Sequence, residues 1–219
     1  MSDQGNMSDL WKRLRFVFFA IIVYRMGTHI PIPGIDPVQL ESFFSRQDDT
    51  LIGLFNLFSG GALERMSIFA LNVVPYISSA IIMQLFSNSV PYLQELKKDG
   101  QAGRNKITQY TRYGTALLAF IQGLALAVTL STTAAINPGI SFILPAVLSI
   151  VAGTMFLMWL GEQVSERGIG NGISIIIATS ILTGIPAAIG QALEQSRLGE
   201  ISILLLIGIG LLSMAVIAV

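Results

Sequence analysis

Six apolar runs, each of the length a bilayer demands, divide this chain, and nothing constrains its folding more. A helix needs roughly 17–25 mostly apolar residues in succession to cross hydrocarbon. The runs fall at 16–32, 73–90, 113–133, 142–160, 173–189 and 201–219. Pro or Gly stands at most junctions: Pro31 and Pro33 after the first, Pro91 after the second, Pro138-Gly139 before the fourth. Gly168-Ile-Gly170-Asn-Gly172 precedes the fifth and permits a tight turn. Only 12% of the 219 residues are charged, against about 25% in a soluble domain. The expected fold is all-α, a polytopic transmembrane helical bundle.

Lys12, Arg13 and Arg15 ahead of the first run imitate a signal peptide. That run continues past Arg25 and His29 into Pro31 with no small-residue cleavage site, so it reads as a retained span. Alternate loops differ in charge. Lys12, Arg13, Arg15, Lys97, Lys98, Arg104, Lys106, Arg112 and Arg167 fall on one side. Arg46, Arg65 and Arg197 fall on the other, outnumbered by Asp36, Glu41, Asp48, Asp49, Glu64, Glu194 and Glu200. The positive-inside rule then places the N-terminus and the 91–112 loop in the cytoplasm. Val219 ends inside an apolar run without a flanking cation, so the chain reads as truncated.

Catalytic and metal-binding patterns do not assemble. There is no cysteine, which excludes disulfides and thiolate metal sites. His29 has no second imidazole, and neither an H-E-x-x-H motif nor a Walker-type loop occurs. The glycine-rich stretch at 168–172 follows a span and not a strand, which argues against a phosphate cradle. Glu162 and Glu166, beside Arg167, read as carboxylates of a solvated loop. Arg25, inside the first span, fits either a functional role or a structural arginine that pairs with a carbonyl or snorkels. No enzyme, cofactor or metal is expected.

About forty residues separate the first two spans, far more than a connection requires. The stretch from Leu51 to Leu71 is apolar, yet Ser59-Gly60-Gly61 and Glu64-Arg65 interrupt it. Glycines weaken a helix and ionic groups are expensive in hydrocarbon, so it is not a lipid-facing span. Irregular backbone survives at membrane depth only when buried in protein or lining a wet cavity. Two readings fit: a half-helix entering from outside and joining the second span near Asn72 to Pro75, or an amphipathic helix on the outer surface. The second span is polar, with Asn72, Tyr76, Ser78, Ser79, Gln84, Ser87 and Asn88. Such residues serve as helix–helix glue or face an aqueous interior. Val73 and Ile77 share a helix face, and Ile173 and Ile177 repeat the spacing. Aliphatic pairs at that spacing are common in membrane helices.

Four ordered stretches carry a resemblance. They are Ile30-Pro-Ile-Pro-Gly-Ile35; Phe55-Asn-Leu-Phe-Ser-Gly-Gly-Ala-Leu63 with Ser67-Ile-Phe-Ala70 and Pro75-Tyr-Ile-Ser78; Gly103-Arg-Asn-Lys-Ile107 with Gln109-Tyr-Thr-Arg-Tyr-Gly114; and Gly153-Thr-Met-Phe-Leu-Met-Trp-Leu-Gly-Glu162 with Glu166-Arg-Gly-Ile-Gly-Asn-Gly-Ile-Ser174. Together they resemble the SecY family of protein-export channels, closest to its proteobacterial members. The resemblance implies one half of an inverted-repeat channel. Residues 1–189 would form the N-terminal half, 190–200 a periplasmic hinge loop, and 201–219 the first span of a second half.

The resemblance also implies roles for single residues. A plug at about 52–70 would include Phe58, Ser59, Gly60, Gly61, Ala62 and Leu63. Val73, Ile77, Ile173 and Ile177 match pore-ring positions, with Val73 standing where close relatives often have Ile. Ser78, Gln84 and Gln122 match polar positions of a lateral gate. Lys97, Lys98, Arg104, Lys106 and Arg112 would face cytoplasmic partners, the SecA motor ATPase or a ribosome. SecE and SecG subunits, signal sequences, nascent polypeptides and the lipid bilayer complete the implied partners, in the bacterial inner membrane. The competing architecture is half of an inverted-repeat secondary transporter. It should show polar or ionic groups at both helix breaks, whereas the matching span starts here, Val73 and Ile173, are aliphatic.

Overall fold

The computed structural model describes residues 3–45 and 59–197, and these are helical with no β-sheet. In chain order the described helices are α1 (Asp3–Gly27), α2 (Pro37–Ser45), α3 (Val74–Ser89), α4 (Pro91–Lys98), α5 (Gly100–Thr133), α6 (Ile140–Arg167) and α7 (Gly172–Arg197). The sixth apolar run and Phe58 lie outside the described residues.

Proline sets several boundaries. Pro31 would clash with the carbonyl of Gly27 in a continuing helix, so α1 ends at Gly27 and not at 32 as expected. Pro75 sits in the first turn of α3, where its missing N–H costs nothing. Val90, ahead of Pro91, is extended (φ −94°, ψ 119°) and closes α3.

Other boundaries differ from expectation in an informative direction. The expected 91–112 loop is helical almost throughout, broken only around Asp99 and Gly100. Glu162 and Glu166 belong to α6 and not to a loop. α7 continues to Arg197, into the stretch expected as a loop at 190–200. The physical reason is shared. Bilayer length marks only the apolar part of a helix, whereas Leu, Gln, Glu, Lys and Arg sustain helix equally well in water.

The broken segment is irregular where it is described. From Gly60 to Val73 the chain makes successive turns, with positive φ at Gly60, Gly61, Met66 and Asn72. The half-helix reading therefore fails for residues 60–73; residues 51–58 lie outside the described part. The turns are anchored by strand-like pairing. Ile32 N–H donates to the Met66 carbonyl (2.9 Å) and Ile68 N–H to the Ile30 carbonyl (3.0 Å). On the other edge, Asp36 N–H donates to Ala134 and Ile136 N–H to Gly34. The Pro-Ile-Pro-Gly stretch thus ties the end of α1 to the broken segment and to the α5–α6 connection.

α5 packs against α6, α3 and α4, and α6 also against α7 and α1. In lipid, close packing and not water exclusion favours such contacts, so small residues matter. Ala119, Gly123 and Ala127 are fully or nearly fully buried along α5, and Ile150 of α6 fills the notch at Gly123. One apolar core joins Ile32, Leu40, Phe44, Leu63 and Met66 to Leu130, Phe142 and Ile150. Phe18, Phe19, Ile22 and Met26 on α1 and Leu144 and Leu148 on α6 remain exposed. Such surfaces suit hydrocarbon and not water.

Candidate functional site

A second core begins where the broken segment enters α3. Val73, fully buried, lies with Ala20, Tyr24, Phe69, Leu157, Leu160, Val164 and Ile176, and half-buried Ile77, Ile173 and Ile177 pack against them. The four residues matched to a ring therefore belong to one apolar cluster, although 73 and 173 are far apart in sequence. Ile173 rests on Gly161 of α6. Asn171 caps α7 beneath it, its side-chain oxygen accepting from the N–H groups of Ile173 (3.0 Å) and Ser174 (3.3 Å).

Polar groups gather beside this cluster, and sequence reading missed them as a group. The Tyr24 hydroxyl is 2.6 Å from Ser180 Oγ and 3.4 Å from the Ser59 carbonyl. Asn72 Nδ2 donates to Ser180 Oγ (3.0 Å), which in turn donates to the Ile176 carbonyl (2.9 Å). Ser59, Asn72, Tyr24 and Ser180 are all buried. The available signal was the placement of a tyrosine, an asparagine and a serine in otherwise apolar surroundings.

Of the residues matched to a plug, Ser59, Ala62 and Leu63 are buried, and Gly60 and Gly61 are half-buried. Ser59 Oγ accepts the Leu63 N–H (3.1 Å). The residues matched to a lateral gate are more dispersed. Ser78 is half-buried and Gln84 exposed on α3. Gln122 of α5 lines a cavity of about 370 Å³ with Ser59, Leu71, Asn72, Val74 and Leu126. Ser79 is the serine that acts as glue, donating to the Thr111 carbonyl of α5 (2.8 Å).

The basic residues divide. Arg104 and Lys106 are exposed on α5, and Lys98 closes α4. Lys97 Nζ reaches Asn88 Oδ1 (3.3 Å). Arg112 forms a two-pronged pair with Glu162, Nε to Oε1 at 3.0 Å and Nη2 to Oε2 at 2.7 Å. That pair joins α5 to α6. The phenol of the exposed Tyr110 is held above the usual value of 10, chiefly by the neighbouring Tyr92 hydroxyl of α4. Near the other end of α1, Arg65 donates to His29 Nε2 (3.0 Å), and His29 Nδ1 faces the Arg25 carbonyl (2.8 Å). Among the described residues no group of His, Asp and Glu side chains is arranged to hold a metal.

Sequence comparisons with known proteins agree on the family. The family model for SecY matches residues 67–219. The protein translocase subunit SecY of Pseudomonas aeruginosa is 56% identical over 217 residues, covering 99% of this chain and 49% of that protein. Its counterpart in Escherichia coli strain K12 is 51% identical, covering 98% of this chain and 50% of that protein. The chain thus spans about half the length of these relatives. Two solved structures, described as a protein conducting channel and as Sec61 in the canine ribosome-channel complex from the endoplasmic reticulum, each superpose with a TM-score of 0.58. Each is 17% identical, over 80% of this chain and 37% of that one, which is likeness of fold. On the family match and the helical architecture it accompanies, the chain belongs to the SecY family of membrane proteins.

Proposed function

We propose that this chain supplies one half of a protein-conducting channel that passes unfolded secretory polypeptides across the bacterial inner membrane and releases membrane segments sideways into lipid. The observation that carries the reading is that Val73, Ile77, Ile173 and Ile177 belong to one apolar cluster directly beside the broken segment. A channel for unfolded chains must pass every side chain, so a fixed polar filter does not suit it. Aliphatic residues make a constriction that water and ions enter poorly. In this reading the four residues line the collar, and Ser59 to Leu63 belong to the plug that stoppers it from outside. Ser78, Gln84 and Gln122 face the lateral exit; the cavity beside Gln122 and Val74 supports the assignment of Gln122.

The basic surface of α4 and α5, with Lys97, Lys98, Arg104 and Lys106, is the docking face for SecA or a ribosome, and the N-terminus is cytoplasmic. SecE and SecG complete the assembly. Residues 190–200 join the two halves, and 201–219 begin the second. No step of this activity calls on a catalytic group of this chain. A secondary transporter is disfavoured because aliphatic residues stand at both span starts where a substrate site needs polar ones.

Photocrosslinking from Ile77 and Ile177, in the full-length subunit, to a stalled secretory precursor tests the proposal. Crosslinks at both positions, lost with a signal-deficient precursor, are expected. An engaged precursor that crosslinks to neither would overturn the collar assignment.

A further inference from the structure

We propose that Tyr24, Asn72 and Ser180 form a buried polar latch that seats the Ser59–Gly60 turn on α7 and sets how readily the collar parts. The inference rests on the channel reading above and deepens it. Its residues are positioning residues, since none is assigned contact with the translocating chain.

The hydrogen bonds converge on one hydroxyl. A serine hydroxyl donates one hydrogen bond and accepts two. Ser180 uses all three, donating to Ile176 and accepting from Asn72 and Tyr24, at 2.9, 3.0 and 2.6 Å. Three separate elements therefore converge on one oxygen: α1 through Tyr24, the broken segment through Asn72, and α7 itself. A polar group in apolar surroundings is costly unless bonded, so parting any two of these elements strands at least one buried group.

Its position gives the latch leverage on the collar. Asn72 immediately precedes Val73, and its φ of +50° turns the chain sharply into α3; asparagine tolerates that conformation better than most residues. Ser180 lies three residues beyond Ile177, on the same side of α7. The amide–hydroxyl bond thus fixes Val73 relative to Ile177.

Packing, independent of these hydrogen bonds, seats the turn on the same spot. Gly60 has φ +65°, and a β-carbon there would lie 2.9 Å from Thr183 Oγ1 and 3.0 Å from the Ser180 carbonyl oxygen. The Tyr24 hydroxyl oxygen also lies 3.4 Å from the Ser59 carbonyl oxygen, as a packing contact, since its one proton goes to Ser180. Withdrawal of the turn from α7 uncovers the latch, and loss of the latch loosens the seat of the turn.

The test uses the full-length subunit in its membrane complex, with Tyr24→Phe and Ser180→Ala, which each remove one oxygen and leave the packing. Two quantities are read: the ion leak of the idle channel, and export of a precursor with a defective signal relative to one with an intact signal. Both are expected to rise about fivefold, which is about 1 kcal/mol where tenfold is 1.36 kcal/mol. Export of the intact precursor stays at the wild-type rate. The double variant should exceed Ser180→Ala only slightly, because the same bond is already lost. Should Ser180→Ala fail to accumulate, Tyr24→Phe decides alone. Unchanged leak and unchanged signal dependence, with normal export of the intact precursor, overturn the latch and leave the channel reading standing. A wild-type chain that exports no intact precursor sinks both.

Discussion

Gly153 of α6 lies directly against the Ile68 carbonyl of the broken segment, leaving no room for a β-carbon between them. A methyl group there would collide with the carbonyl oxygen and approach the Ile68 carbonyl carbon to 2.8 Å and the Phe69 ring to 3.2 Å. Backbone on both sides resists adjustment. Gly153→Ala should therefore cost about 1–3 kcal/mol, as overpacking typically does. Thermal unfolding of the purified full-length complex measures it, with Ala152→Ser, on the exposed side, as a control that leaves the transition in place.

The Arg112–Glu162 pair is partly solvated, with side-chain exposures of 47% and 20%. Water and salt screen such a pair, so its two-pronged geometry raises its worth only modestly. Arg112→Ala should destabilise by about 0.5–1 kcal/mol at low salt and by less at 1 M salt. A double-mutant cycle with Glu162→Gln reads the coupling, and a coupling of zero at low salt would show that α5 and α6 do not depend on the pair.

The proposed aliphatic collar makes a directional prediction. Ile77→Asn or Ile177→Asn introduces a group that holds water in the constriction, so ion leak through the idle channel should increase severalfold. Ile77→Leu and Ile177→Leu keep the surface apolar and should not leak. Conductance of reconstituted full-length channels distinguishes these outcomes, and equal leak from Asn and Leu variants counts against a hydrophobic gate.

The Tyr92–Tyr110 contact has a pH signature. The neighbouring Tyr92 hydroxyl raises the Tyr110 phenol above 10, so the folded state holds this proton more tightly than the unfolded state does. Any stabilisation is complete below pH 10 and is lost as pH rises through the shifted value. Tyr92→Phe should bring Tyr110 back toward 10. Difference absorbance of the phenolates above neutral pH follows the shift.

Span positions were legible because hydrocarbon thickness imposes a length on apolar runs. The starts of α3 and α7 fell within a residue of 73 and 173, marked respectively by Pro75 and by Asn171 with its glycine neighbours. The aqueous ends were not legible in the same way. Leu93 and Leu96, buried on α4, sit among Gln, Glu and Lys, and the charged residues suggested a loop where they decorate a helix. Spacing alone did not single out Val73, Ile77, Ile173 and Ile177, since aliphatic pairs four apart are common in membrane helices; the proposed collar positions came from family resemblance. The latch needed three dimensions: nothing in the spacing of Tyr24, Asn72 and Ser180 announces that one hydroxyl serves all three elements.

α5 runs unbroken for 34 residues, about 50 Å at 1.5 Å per residue, whereas the hydrocarbon it crosses is about 30 Å thick. The excess stands outside the bilayer as a mast, braced near its foot by Arg112 and along its side by α4. A helix of this kind transmits thrust along its axis and cannot shorten without breaking its own hydrogen bonds. Whatever grips the mast near Arg104 is therefore mechanically in touch with Gln122 inside the membrane, and a load applied outside the bilayer is felt within it.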